Sequence, residues 1–107
     1  MKSFAIQFVF DPDVSLAEAE MSLHLAMFAV EGLIGRARVR LDAEYEIDVI
    51  GRAIVVNTNS ATGRLIVRVF TALLLREIGE HAFCVQQMDQ HSQQQHHEFT
   101  CQHSARP

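Results

Sequence analysis

Forty-nine of the 52 hydrophobic residues fall between Met1 and Met88, and only Phe99, Cys101 and Ala105 lie beyond. That partition limits what the chain can fold into. Residues 89–107 carry five Gln and four His and cannot bury enough apolar surface to offset the entropy of ordering. They are expected to form a flexible Gln/His-rich tail. Residues 1–88 are expected to form one domain, richer in apolar residues than an ordinary monomer at about 45–50%. A chain of 107 residues has room for one such unit, which excludes a TIM barrel or a two-domain dehydrogenase.

Within the body, hydrophobic periodicity marks the elements. Ser3 to Phe10 is nearly continuous in apolar, β-favouring residues, as in a strand buried on both faces. Ser15-Leu16-Ala17-Glu18 is a capping box, from which a helix runs to about Glu31 with Gly32 placed to end it. Leu16, Ala19, Leu23, Ala26, Met27 and Val30 share one face of that helix. Residues 37–49 alternate between apolar and charged side chains and predict a half-buried strand with a charged face, as one strand or two. Ala53 to Asn57 is a short buried strand, capped by Asn59 or Ser60 into a second helix over roughly Ala61 to Ile78. His81 to Gln87 predicts a last strand.

The resulting order, β-α-β-β-α-β, predicts an α+β fold. It resembles the ferredoxin-like βαββαβ two-layer sandwich, an antiparallel sheet with two helices on one face. That superfold puts the first and third strands, here the most apolar, in the centre of the sheet. It implies nothing about activity, because it hosts many unrelated ones.

Both helices carry more apolar surface than one sheet face can cover. Met21, Leu25 and Phe28 lie roughly opposite the core stripe of the first helix, and Leu65, Val69 and Leu75 lie outside that of the second. These six residues are the expected interface, with a second copy (a homodimer) or with another protein.

The net charge of −4 opposes coating of nucleic acid, and the aromatic pattern of an RNA-recognition motif is absent from Ala53–Asn57. No nucleic-acid or membrane partner is expected. The start of the chain does not resemble a signal peptide, and the apolar run from Leu65 to Leu75 is interrupted by Arg68 and shorter than the roughly 20 residues that span a bilayer. Two cysteines, Cys84 and Cys101, read as reduced thiols, which with these features implies a cytoplasmic location.

Three places invite a chemical reading. Asn57 to Arg64 leads from a strand into a helix, where free N–H groups favour anions. Asn59, Ser60, Thr62, Gly63 and Arg64 are the candidate ligand contacts, although capping and close packing explain the same residues. In the tail, His96, His97, Cys101 and His103 are candidate metal ligands. Their spacing matches no structural zinc pattern, so adventitious binding of zinc, nickel or copper is all that is expected, and no cofactor. His81 and Cys84 fall on opposite sides of a strand and cannot readily form a nucleophile–base dyad. Paired glutamates at 18/20 and 44/46 read as caps and solvated faces, and His24 reads as an interface or surface histidine. No acid–base pair suggests catalysis. The expected function is therefore a small oligomerising interaction or regulatory module. The alternatives are a ligand- or anion-sensing domain using the loop 57–64, or a small dimeric enzyme.

Overall fold

The computed structural model describes residues 4–89. In chain order it contains β1 (Phe4–Phe10), α1 (Leu16–Ile34), α2 (Arg36–Asp42), β2 (Tyr45–Asp48), β3 (Ala53–Asn57), α3 (Ala61–Glu77), a 3-10 turn (Glu80–Ala82) and β4 (Phe83–Asp89). The four strands form one open sheet in the order β2-β3-β1-β4, with every neighbouring pair antiparallel. This is a mixed arrangement compatible with an α+β two-layer fold. As expected, the most apolar strands, β1 and β3, are central.

Phe8, Phe10, Ile54 and Val56 project from one sheet face into a single core with Leu23, Ala26 and Val30 of α1 and Ile66, Phe70 and Leu74 of α3. Phe8 meets Phe70 edge-on, with ring centroids 4.7 Å apart at 61°, an arrangement favoured by the ring quadrupoles. Tyr45 and Ile47 of β2 pack against this core, while Glu44, Glu46 and Asp48 are exposed. Residues 44–48 thus keep the alternation read from the sequence.

Residues 36–42 do not. They form α2, a third helix where a strand was expected. Arg, Ala and Leu are strong helix formers. Only Val39 is buried in this segment, so one apolar contact per two turns suffices and a half-buried strand face is not needed. The end of α1 is also later than expected. Gly32 lies within the helix, and Gly35 (φ 100°) separates α1 from α2. Ser15 Oγ accepts from the Glu18 backbone N–H at 3.2 Å, which supplies the N-cap.

The loop between β1 and α1 is held from below by Arg52. Its guanidinium donates to the carbonyl of Asp11 at 3.0 Å and to that of Val14. Its own carbonyl accepts from Phe10 N–H at 2.9 Å. This clasp fixes where α1 begins, and with it one wall of the groove described next.

Candidate functional site

α1 and α3 pack with the start of α1 beside the end of α3. Between them opens a groove of about 570 Å³. Its apolar floor includes Met21, Leu25, Leu74 and Ile78, and its rim carries Asp13, Glu18 and Glu77, with no Lys or Arg among the lining residues. The whole of α1 carries three glutamates and no Lys or Arg. Met21 and Leu25 remain 62% and 55% exposed, and Phe28, one turn further along, is 71% exposed. At 100° per residue these three fall within about 60° of one another, so they form one continuous apolar stripe leaving the groove.

The six residues expected at an interface therefore divide. Met21, Leu25 and Phe28 form the stripe. Leu75 is exposed on α3, whereas Leu65 and Val69 are half-buried and pack against the core. Six further large hydrophobics are exposed among the described residues, Phe4, Leu33, Leu41, Val49, Ile50 and Val85. Leu41 was hidden by the expected strand, whose inward face it would have shared with Val39.

The loop 57–64 brings its candidate residues together and engages several of their polar groups inside the protein. Ser60 Oγ accepts from Gly63 N–H at 3.0 Å. Asn59 Oδ1 accepts from Phe4 N–H at 3.0 Å, and Asn57 Oδ1 from Asn59 N–H at 2.8 Å. Arg64 Nη1 donates to the Thr58 carbonyl at 3.1 Å. Thr62, buried, donates to Asp42 at 3.2 Å, tying α3 to α2. Gly63 packs so closely on β3 that an added Cβ would lie 2.0 Å from the Asn57 carbonyl oxygen.

One polar cluster was not foreseen. His24 Nε2 lies 2.9 Å from the Tyr45 hydroxyl and 3.8 Å from Glu20, one turn before it on α1. Spacing identifies the Glu20–His24 pair, but Tyr45 arrives from β2, 21 residues away. This cluster joins the edge strand to α1 beside the apolar stripe. A second hollow, of about 470 Å³, lies by β2 and β3 and includes Glu44, Glu46, Val55 and Asn57.

His96, His97, Cys101 and His103 lie outside the described residues. Among the described residues, no group of three or more His, Cys, Asp or Glu is placed to hold a metal ion, and no helix is long and apolar enough to cross a membrane. Cys84 is buried, and Cys101 lies outside the described residues. Set against known proteins, the chain matches no family model, no curated protein and no solved structure.

Proposed function

We propose that this chain is a small interaction or regulatory module without catalytic activity of its own, which associates with further copies of itself into a dimer or larger assembly. The observation that carries the reading is the stripe of Met21, Leu25 and Phe28. Three large apolar side chains, each more than half exposed, stand in one row beside an apolar groove. Isolated exposed hydrophobics are ordinary, but a contiguous row is the kind of patch that marks a contact. The engaged donors of the loop 57–64 favour the capping and packing role of those residues over ligand sensing.

For the scaffold we propose the ferredoxin-like arrangement, supported by the strand order β2-β3-β1-β4 and the antiparallel pairing throughout. α2 is then an addition between the first helix and the second strand.

Sedimentation velocity at micromolar concentration tests the function. The chain is expected to sediment as an assembly, and Leu25→Glu with Phe28→Glu to return it to monomers without lowering the monomer's own stability, read by urea denaturation at a dilution where the wild type is also monomeric. A monomeric wild type ends the proposal.

A further inference from the structure

The groove lining and α2, at opposite ends of α1, carry opposite net charge. At one end, the groove beside the start of α1 combines an apolar floor with the carboxylates of Asp13, Glu18 and Glu77. At the other end, α2 exposes Arg36, Arg38 and Arg40 together with Leu41, which is 81% exposed. No hydrogen bond or ion pair engages these three guanidinium groups among the described residues. Asp42 and Thr62 join α2 to the start of α3. The length of α1, 19 residues, at 1.5 Å per residue sets the two ends about 28 Å apart. A chain cannot bring its own α2 to its own groove.

We propose that α2 of one copy docks in the α1–α3 groove of the next. Leu41 enters the apolar floor near Met21 and Leu25, and the arginines face the acidic rim. The proposal rests on the self-association argued above and names the surfaces that meet. Each contributes what the other lacks, an apolar insertion with positive charge against an apolar cleft with negative charge. Arginine suits this role because its guanidinium is weakly hydrated and pairs with carboxylates in fixed geometry. The two surfaces are different patches at opposite ends of the molecule, so the contact is heterologous. It joins copies head to tail, giving an open chain or, if the rotation closes, a ring.

A complementation experiment on the full chain tests this by sedimentation velocity at low salt. Arg38→Glu with Arg40→Glu removes the donor surface and leaves the groove intact. Glu18→Lys with Glu77→Lys removes the groove charge and leaves α2 intact. Each variant alone is expected to be monomeric, with self-association weakened at least about tenfold by like-charge contact. An equimolar mixture is expected to associate again, since the intact α2 of one variant meets the intact groove of the other and the two charge-reversed surfaces are themselves complementary. Leu41→Ser, an uncharged change at an exposed position, is expected to weaken the wild-type assembly without altering the stability of the monomer measured at high dilution.

A wild-type assembly that survives both charge variants and Leu41→Ser overturns the docking. So does a mixture that stays monomeric when both variants match the wild-type monomer in stability at high dilution. If Leu25→Glu with Phe28→Glu nevertheless dissociates that assembly, self-association stands and only the α2 docking falls. A monomeric wild type removes both.

Discussion

Two glycines within helices illustrate how far a single residue's effect depends on its surroundings. A glycine inside a helix ordinarily costs about 0.5–1 kcal/mol relative to alanine. Gly32 has nothing within 4 Å of the position its Cβ would take. Gly32→Ala is therefore expected to stabilise the monomer by about 0.5–1 kcal/mol. Gly63 stands in the first turn of α3, against the Asn57 carbonyl of β3. Gly63→Ala must push strand and helix apart, and is expected to destabilise by about 2 kcal/mol, the range of core overpacking. Urea denaturation at low protein concentration would read both effects, and equal signs for the two substitutions would contradict the packing described for Gly63. The sequence placed Gly63 at a helix start and allowed either ligand approach or close packing. Only the distance to a carbonyl from six positions earlier distinguishes them.

At the scale of elements, most of the fold was legible because burial imposes a period. β1 and β3 are apolar runs without charge, and α1 and α3 show 3.6-residue stripes long enough to exclude a strand. The segment 36–42 failed the same test because it is only seven residues long. Arg36-Ala37-Arg38-Val39-Arg40-Leu41-Asp42 alternates like a strand, yet a helix two turns long needs only one buried anchor. The two structures make opposite predictions. In a strand, Val39 and Leu41 would share the buried face and be equally sensitive. In α2, Val39 is 1% exposed and Leu41 81%. Val39→Ala is expected to cost about 2 kcal/mol, whereas Leu41→Ser should change monomer stability by less than about 0.5 kcal/mol. Comparable losses in chemical denaturation would restore the strand. The same misreading affected the proposed site, because the expected strand turned Leu41 inward with Val39, while the helix exposes it beside Arg38 and Arg40. The apolar stripe was legible from helical spacing alone. The groove beside it was not, because Glu18 and Glu77 lie 59 positions apart and meet only through the packing of α1 on α3.

For the whole molecule, the net charge of −4 is less informative than its distribution. The chain carries thirteen acidic and nine basic residues, which suggests mild mutual repulsion between copies. Yet α1 has no Lys or Arg, and α2 has three arginines within seven positions. Copies aligned head to tail therefore attract at the contact although they repel on average. Salt separates the two effects. At about 50 mM ionic strength the screening length exceeds the separation of paired charges across a contact, and near 1 M it falls to about 3 Å. An assembly held only by the stripe of Met21, Leu25 and Phe28 would strengthen or hold steady over that range, because burial of apolar surface is not screened. An assembly that also sets arginines against Glu18 and Glu77 is expected to weaken by about three- to tenfold, the scale of one or two exposed ion pairs. Its mass should also respond to concentration in a particular way. A heterologous contact has no two-fold closure, so the average mass should either keep rising or stop at a ring. Light scattering across a concentration series at two salt levels reads both quantities. A salt-insensitive species fixed at twice the chain mass would identify a symmetric pairing of apolar faces instead.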